Sequence, residues 1–489
     1  MAQTRLFGTD GIRAEVGAWP LVPDFVVRLG FAAGRMLMGE ARGGTLVVGR
    51  DTRQSGPMLQ SALTAGLLAS GVSVIDAGVI TTPGVAYLAR RLGAVAGAVI
   101  SASHNPVHEN GLKFFGGDGL KLPQDMEVAI ERWLLESPEK EPQYGQCGRS
   151  IDGRGLHELY IENLLAEQRD LQLNHLAIAV DCANGAASWF APECLARLGA
   201  RVIAIHASPT GLNINDRSGS EYVRRHPNDL ARVVRDYGAH FGMAFDGDAD
   251  RVVFVDEHGG VVDGDHMLAI LANYFEARQQ LVARSLVTTH MRNEGLVRFA
   301  RSNRFRVSET PVGDKYVVEV LVKLRSESPD SEAYALGGEQ AGHVVLMDNE
   351  HTTGDGIRTA LFMTRVFVES GASSLADLTR VIQKMPQVIA SAYVGHGPRL
   401  DRAALDKLEA QARVEFPALK RVNLRYSGTE AQFRAMLESD EELTQAQLAQ
   451  LAWRVCRKVQ SVAGADDGFI EILDCAQGGL LMPEDSQPV

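Results

Sequence analysis

TLVVGRDTRQSGPMLQSALTAGLLASGVSVIDAGV (residues 45–79) is the stretch that decides the fold class. A short apolar run rich in β-branched residues (45–51) is followed by a helical pattern (56–70) and a second apolar run (72–79). A strand, a helix and another strand in this order indicate a crossover connection, which joins parallel strands. The stretch therefore predicts a mostly parallel sheet that helices cover on both faces.

The same alternation recurs along most of the chain. A helix over 81–92 and a strand over 94–103 follow at once, and two later groups of strands repeat the pattern. These units are too long for the repeats of a solenoid, so we expect three related mixed α/β domains. The predicted strands of the two later groups cover residues 175–184, 201–207, 240–248, 284–290, 304–310 and 334–347.

The last part of the chain has a different pattern. Helices are predicted near 400–414 and 444–460, with two apolar runs between them. This pattern favours a small C-terminal α+β domain with an antiparallel sheet. We expect the active site in the central cleft between the domains. The predicted domains are 1–154, 155–258, 259–372 and 373–489.

The composition is that of a folded protein without a nucleic-acid or membrane surface. The 489 residues include 45% hydrophobic and 22% charged residues, which excludes a disordered chain. With 49 basic and 61 acidic side chains the net charge is −12, which argues against nucleic acids and anionic membranes as partners. No signal peptide or membrane span is visible, and the five scattered cysteines fit free thiols in a reducing compartment. We therefore expect a cytoplasmic protein.

The first chemical motif is SASHNP, residues 101–106, which we call the serine loop. It follows a predicted strand, and the ligands of open α/β sheets bind at the carboxyl ends of strands. The loop combines hydroxyls, an imidazole and a proline-fixed bend, and Lys113 and Lys121 in the next stretch supply cations for an anion. The alternative is an ordinary turn, because Ser and Asn before Pro form turns readily.

The second motif is DGDADR, residues 246–251, which we call the aspartate loop. Alternate residues of an extended chain point the same way, so Asp246, Asp248 and Asp250 are predicted to converge. Three like charges repel strongly unless a cation lies among them, and oxygen ligands favour a hard ion such as Mg²⁺. The alternative is a solvated acidic turn, which the apolar runs on both sides disfavour.

The third motif, GGEQAGH (337–343), is called the glutamate loop. Its glycines allow the backbone to approach a ligand closely, and the carboxylate of Glu339 suits paired sugar hydroxyls. A tight hairpin turn between the two flanking apolar runs would explain the same residues.

The fourth motif, RYSGTEAQFR (425–434), is called the clamp loop. Two guanidiniums, two hydroxyls and the backbone N–H groups around a glycine make a phosphate cradle. An ordinary charged turn is the alternative.

Each of the four loops comes from a different predicted domain. Together they supply a nucleophile, a metal site, a carboxylate that binds sugar hydroxyls and a phosphate-binding site, which one reaction could use.

Six motifs occur in order along nearly the whole chain and together resemble the α-D-phosphohexomutase superfamily. They are LFGTDGIR (6–13), GRDTR (49–53), SASHNP, DGDADR, GGEQAGH and RYSGTE. LFGTDGIR, GLNIND (211–216), VGDKYV (312–317) and Gln340 are similar to its bacterial phosphoglucosamine mutase branch. The resemblance implies an isomerase that interconverts glucosamine 6-phosphate and glucosamine 1-phosphate through a phosphoserine and a bisphosphorylated sugar, which also serves as activator.

The resemblance also implies roles for individual residues. Ser103 would carry the phosphoryl group and, with Asp246, Asp248 and Asp250, would hold Mg²⁺. Arg13 and Arg251 would steady the phosphoryl group in transfer. His104 and Lys113 would move the proton of the sugar hydroxyl, although His104 could instead order its loop through a structural hydrogen bond.

The sugar and its second phosphate would be held by the other two loops. Glu339 would read the sugar hydroxyls, and Ala341 would line the same site. The non-reacting phosphate would bind to the clamp loop. The clamp residues are Arg425, Ser427, Gly428, Thr429 and Arg434.

Three residues depart from the pattern of the family. Ala341 stands where Ser is usual, Tyr426 where Pro is common, and Arg292 where a small Ser is expected. A missing neutral hydrogen bond at Ala341 would weaken binding by about tenfold. Arg292 would disfavour a substrate ammonium if its side chain pointed into the sugar site. These changes bear on the choice of sugar rather than on the chemistry.

Several alternatives remain open from the sequence. A related enzyme could act on mannose or glucose phosphates. A metal-dependent phosphatase with an aspartyl nucleophile, or a sugar-phosphate sensor without catalysis, would be a different class of protein. By analogy with the family a homodimer is possible. A hinge near GASS (371–374) would let the last domain move while the intermediate turns over.

Overall fold

The computed structural model describes residues 6–8, 10–38, 43–136, 147–328, 332–395, 397–427, 431–440 and 442–483. Within these ranges the chain forms four sheets, one after another along the sequence. The predicted fold class, three mixed α/β units followed by an antiparallel α+β unit, is confirmed. No helix in these ranges is both long enough and apolar enough to cross a bilayer.

The first unit is a six-stranded sheet with helices packed on it. Its elements are β1 (Ile12–Glu15), α1 (Pro23–Met38), β2 (Thr45–Arg50), α2 (Gly56–Ala69), β3 (Ser73–Val79), α3 (Thr82–Arg91), β4 (Ala96–Ile100), β5 (Glu109–Gly116), α4 (Gln124–Glu136) and β6 (Ser150–Asp152). The strand order is β1-β5-β4-β2-β3-β6. Strand β2 runs parallel to β3 and β4, whereas β5 runs antiparallel to β4 because a short loop joins them. This short connection contains the serine loop.

The second unit repeats this arrangement. Its elements are α5 (His157–Ala166), β7 (Ala177–Asp181), α6 (Ala187–Arg197), β8 (Arg201–Ile205), α7 (Ser220–Arg225), α8 (Pro227–Asp236), β9 (Phe241–Phe245), β10 (Val252–Val255) and β11 (Val261–Val262). The strand order is β11-β10-β9-β7-β8, with β7, β8 and β9 parallel and β10 antiparallel to β9. The aspartate loop connects β9 to β10.

The third unit has the same plan. Its elements are α9 (Gly264–Ala277), β12 (Leu281–Thr289), α10 (Glu294–Ser302), β13 (Arg306–Thr310), α11 (Asp314–Ser326), β14 (Tyr334–Gly338), β15 (Val344–Met347), α12 (Gly356–Ser370) and α13 (Leu375–Thr379). The prediction of one strand over 334–347 is wrong, because β14 and β15 form an antiparallel hairpin. Positive φ at Gly342 (+95°) helps the backbone to reverse there. The glutamate loop spans this turn.

The three units therefore share one topology, which decides where the chemistry lies. In each unit one loop connects a strand in the interior of the sheet to its antiparallel neighbour. The strand pairs are β4 and β5, β9 and β10, and β14 and β15. The serine, aspartate and glutamate loops thus occupy equivalent positions in their units, at the carboxyl ends of parallel strands. This repetition brings the serine, aspartate and glutamate loops to corresponding edges of their sheets.

The fourth unit is an antiparallel sheet with two helices on it. Its elements are β16 (Gln387–Tyr393), α14 (Arg402–Glu415), β17 (Leu419–Tyr426), β18 (Gln432–Ser439), α15 (Gln445–Ala463) and β19 (Ile470–Asp474). The order is β17-β18-β16-β19. The unit has its own apolar core, whereas one continuous core joins parts of the first three units.

The domain boundaries remain predictions, and several elements lie close to them. Strand β11 pairs with β10 beyond residue 258, and Leu375 of α13 packs in the large shared core beyond residue 372. The turn 371–374 therefore joins α12 to α13 within the third unit, and the fourth sheet begins at Gln387. All five cysteines are unpaired, as their scattered spacing predicts.

Candidate active site

The serine loop holds Ser103 in a buried and strained position. Ser103 is fully buried, and its φ of +53° lies in the left-handed region, which is unfavourable for a residue other than glycine. Its Oγ donates to Asp246 Oδ2 at 2.6 Å, and its backbone N–H donates to Ser101 Oγ at 2.9 Å. The fold thus aims the Ser103 hydroxyl at the aspartate loop.

Arg53 fixes the shape of the serine loop from within the first unit. Its guanidinium is fully buried, and Nε donates to Asp51 Oδ2 at 2.9 Å. Nη2 donates to the carbonyls of Ser103 (3.1 Å) and Asn105 (2.8 Å), and Nη1 donates to that of Glu109 (3.0 Å). Our sequence reasoning did not assign Arg53 a role, although GRDTR was among the family motifs.

The three aspartates converge, but not for the reason that the sequence suggested. Residues 246–250 form a turn rather than an extended segment: Ala249 has a φ of +58°, and its N–H donates to the Asp246 carbonyl at 3.1 Å. The three carboxylates are buried and each has an oxygen within 4.8 Å of the others. A turn gathers the side chains more tightly than a strand, in which alternate residues are nearly 7 Å apart.

Lys113 compensates much of this negative charge. Its Nζ lies 2.8 Å from Asp248 Oδ2, 3.5 Å from Asp250 Oδ2 and 3.1 Å from Asp10 Oδ2. Burial disfavours the ammonium form, but Asp10, Asp248 and Asp250 outweigh that penalty and raise the pKa of Lys113. Asp10, which the sequence reasoning did not assign, also pairs with Lys121 and Arg13.

The carboxylates retain capacity for a metal ion. Burial, together with Asp250 and Asp248, raises the pKa of Asp246 well above its ordinary value. Asp248 Oδ1 and Asp250 Oδ1 are buried and have no hydrogen-bond partner among the described residues. Buried carboxylate oxygens without a donor are unfavourable in the absence of a cation. The donor set contains only oxygens, and it fits Mg²⁺.

Arg251 and His104 border the Ser103 hydroxyl. Arg251 Nη1 donates to Ser103 Oγ at 3.3 Å and to His104 Nδ1 at 2.5 Å, and it lies 3.5 Å from Asp246 Oδ2. Burial, and then the Arg251 charge, lower the pKa of His104 well below its ordinary value, so the imidazole is neutral. Arg13 reaches the same loop through Asn105 Oδ1 at 3.2 Å.

The glutamate loop places Glu339 at a partly exposed position. Glu339 Oε1 accepts from the N–H of Gly313, within the VGDKYV motif, at 3.1 Å. Ala341 is also partly exposed. His343, which the sequence reasoning quoted but did not assign, is 1% exposed, and neither of its ring nitrogens has a hydrogen-bond partner among the described residues. The pKa of Asp250 is lowered, although burial, the largest single effect, raises it. Lys113, Arg251 and His343, in that order, lower it.

The clamp loop is described only in part. Arg425 of β17 and Arg434 of β18 are directly paired across the sheet, and the N–H of Ser427 donates to the Gln432 carbonyl at 2.8 Å. Gly428 and Thr429 lie outside the described residues. The Arg434 charge is the smallest of the named effects that lower the pKa of His104.

Arg292 does not present a free charge to a sugar. Its guanidinium is buried and pairs with Glu294 Oε2 at 2.5 Å and with Glu309 Oε1 at 2.7 Å. The carbonyl of Arg292 accepts from Arg421 Nη1 of the fourth unit at 2.6 Å. Arg292 is therefore not expected to disfavour a substrate ammonium, because its charge is paired with two carboxylates.

Comparison with known proteins agrees with this geometry. Three family models match the chain, namely phosphoglucomutase/phosphomannomutase alpha/beta/alpha domain I over residues 4–141, domain II over 158–260 and domain III over 263–385. The chain belongs to the phosphoglucomutase/phosphomannomutase family. This confirms the resemblance that the six motifs carry.

Relatives within this family extend over nearly the whole chain. The phosphoglucosamine mutase of Carboxydothermus hydrogenoformans is 42% identical over 450 residues, which cover 90% of this chain and 97% of that protein. Among solved structures, a phosphoglucomutase/phosphomannomutase family protein from Burkholderia thailandensis has a TM-score of 0.73 at 22% identity, covering 94% of this chain and 98% of that one.

A structure with lower sequence identity and a similar fold was solved with ligands. The N-acetylphosphoglucosamine mutase of Aspergillus fumigatus, in complex with GlcNAc-6P and magnesium, has a TM-score of 0.61 at 14% identity. The alignment covers 94% of this chain and 96% of that one. At this identity the likeness supports the fold alone.

The open carboxylate oxygens predict that Mg²⁺ stabilises the protein. We expect millimolar Mg²⁺ to raise the melting temperature by several degrees, because a ligand that binds only the folded state stabilises it. Asp248→Asn should lose this response, whereas the exposed Asp229→Asn should keep it. Thermal melting with MgCl₂ and with EDTA measures the effect. An equal Mg²⁺ response in Asp248→Asn would contradict the proposed ligand set.

Proposed function

We propose that this chain interconverts glucosamine 6-phosphate and glucosamine 1-phosphate, with Ser103 carrying the transferred phosphoryl group. The observation that carries the proposal is the 2.6 Å hydrogen bond from Ser103 Oγ to Asp246 within a buried group of three carboxylates. A serine hydroxyl is a weak nucleophile at neutral pH. Its location beside a magnesium-type donor set and two cations suits a group that accepts and returns phosphate.

The surroundings of Ser103 suit phosphoryl transfer. Asp246, Asp248 and Asp250 would hold Mg²⁺ together with a phosphate oxygen on Ser103, and the ion, when bound, would neutralise charge on the transferring group. Arg251 lies 3.3 Å from Ser103 Oγ and so is placed to pair with the phosphoryl oxygens. Arg13 reaches the serine loop through Asn105 and is assigned the same task.

Proton movement is assigned to His104 and Lys113. His104 Nδ1 lies 3.5 Å from Ser103 Oγ and accepts a hydrogen bond from Arg251, which leaves its neutral ring fixed in orientation. Lys113 Nζ lies 2.8 Å from Asp248 Oδ2, and its raised pKa keeps it protonated, so it suits a proton donor or a fixed positive charge rather than a general base. Positioned acid–base groups of this kind contribute about 10²–10⁴-fold to rate.

The remaining loops account for a sugar that has to react at both ends. Glu339 is partly exposed at the end of β14, where it can accept hydrogen bonds from sugar hydroxyls. Arg425 and Arg434 lie directly opposite each other on neighbouring strands of the fourth unit and are assigned, with the rest of the clamp loop, to the phosphate that does not react. A fixed anchor for this phosphate lets the sugar present either end to Ser103 and lowers the barrier by fixing orientation.

A competition assay tests the choice of sugar. With Mg²⁺ and a bisphosphorylated hexose as activator, we expect glucosamine 6-phosphate to be converted in preference to glucose and mannose 6-phosphates supplied together. The relatives named phosphoglucosamine mutase and the neutralised charge of Arg292 support this order. Preference for glucose or mannose would favour the phosphomannomutase or phosphoglucomutase alternative, and turnover of none would favour a sensor.

Removing the nucleophile tests the phosphoserine directly. Ser103→Ala should incorporate no radioactive phosphate from a labelled bisphosphorylated hexose and should have no turnover above background, since the other hydroxyl of the loop, that of Ser101, donates to Asp51 instead. Ser61→Ala, on the exposed face of α2, is the matched control. Incorporation with normal turnover in Ser103→Ala would contradict the assignment.

The clamp predicts a change in binding more than in chemistry. Arg425→Ala should raise KM for the hexose phosphate by about tenfold to a hundredfold, the value of a lost charge-assisted hydrogen bond. Arg413→Ala in the same unit, whose guanidinium pairs with Glu409, should leave KM unchanged. Steady-state kinetics separates the two, and equal KM values would remove Arg425 from the clamp.

A further inference from the structure

The second unit sends one side chain into the serine loop of the first. Asn215 lies in the 211–216 segment, between β8 and α7, and its Nδ2 donates to the Ser103 carbonyl at 2.7 Å and to the Asn105 carbonyl at 3.0 Å. Both partners are carbonyl oxygens, so the amide uses both of its N–H groups on this loop. No other side chain of the described second unit is hydrogen-bonded to those two carbonyls.

The geometry around Asn215 joins the serine loop to the aspartate loop. A Cβ added to Gly247 would lie 2.6 Å from the Ser103 carbonyl oxygen and 3.1 Å from Asn215 Nδ2. The two loops are therefore in direct backbone contact beside this amide. Asn215 itself is anchored, because its N–H donates to the Ala183 carbonyl at 2.9 Å.

We propose that Asn215 is a positioning residue for phosphoryl transfer, which holds the left-handed backbone of Ser103 so that its Oγ faces the aspartate loop. Arg53 holds the same carbonyls from the first unit, but Asn215 belongs to the unit that carries Asp246. Asn215 therefore sets the distance between the nucleophile and the carboxylates, which belong to different units. The inference rests on the proposed role of Ser103.

The structure offers variants that isolate this contact. Asn215 has a φ of +58°, so Asn215→Gly removes the amide without adding backbone strain. Asn215→Asp keeps the size and tolerates the same backbone, but it places a carboxylate oxygen against two carbonyl oxygens. Asn213→Gly is the matched control, because the hydrogen bonds of the Asn213 side chain are with the backbone of Thr210 and Ser208, in the same connection between β8 and α7.

We expect the transfer step to slow while substrate binding is kept. In single-turnover experiments, transfer from the phosphorylated enzyme to glucosamine 6-phosphate should fall by about tenfold to a hundredfold in Asn215→Gly, the value of two lost hydrogen bonds. It should fall further in Asn215→Asp. KM should change by less than about twofold, and melting temperatures should match that of Asn213→Gly.

Three results would overturn the inference. Transfer in Asn215→Gly at the rate of Asn213→Gly would show that the amide is dispensable. A milder effect of Asn215→Asp than of Asn215→Gly would show that only volume matters. If a lowered folded fraction fully explained the loss of transfer rate in both Asn215 variants, Asn215 would only stabilise the fold. Failure of the proposed function is distinguishable, since the wild-type protein would then form no phosphoenzyme.

Discussion

The repulsion among three buried aspartates is the constraint on which the rest of the site depends. Burial raises the pKa of Asp246, and the neighbouring carboxylates of Asp250 and Asp248 raise it further. Lys113 and Arg251 offset part of the charge from two sides, yet two carboxylate oxygens keep no partner among the described residues. The position of Ser103 follows from the same requirement, because its hydroxyl is the donor that Asp246 accepts. Carboxylate oxygens without a donor, next to a buried hydroxyl, support the proposal that this site binds a cation beside a phosphoryl group on Ser103.

Repetition of one topology explains why motifs so far apart in sequence meet. In each of the first three units a central parallel strand turns into an antiparallel neighbour, and the turn carries the chemistry. The alternation of apolar and helical patterns was sufficient to predict the units and the antiparallel sheet of the fourth, because periodicity reflects burial. It was insufficient for 334–347, since a continuous apolar run with a glycine-rich centre fits either one long strand or a hairpin.

Site residues that stand in local motifs could be predicted from the sequence, whereas residues that act through contacts with distant segments could not. Ser103 and the three aspartates stand in dense local motifs whose chemistry is readable from residue types alone, although the predicted extended chain around Asp248 is a turn. Arg53, Asp10 and Asn215 act through contacts with backbone or charges of distant segments. No local pattern encodes such contacts, because an arginine, an aspartate or an asparagine in a loop is most often solvated. Arg292 is the opposite case. The sequence drew attention to its charge, but Glu309, seventeen residues further along the chain, pairs with the guanidinium and neutralises it.

The fourth unit is attached by polar contacts rather than by a shared apolar core. Gln387, at the start of β16, donates to the carbonyl of Arg292 at 3.1 Å and accepts from Gln340 at 2.7 Å. Gln340 is the neighbour of Glu339 in the glutamate loop, so the first strand of the clamp unit touches the segment assigned to reading the sugar. Polar interfaces of this kind are typical of units that move relative to one another, because hydrogen bonds can be exchanged with water whereas a core cannot. The first strand of the fourth unit and the glutamate loop are thus joined by a directional hydrogen bond between two side-chain amides.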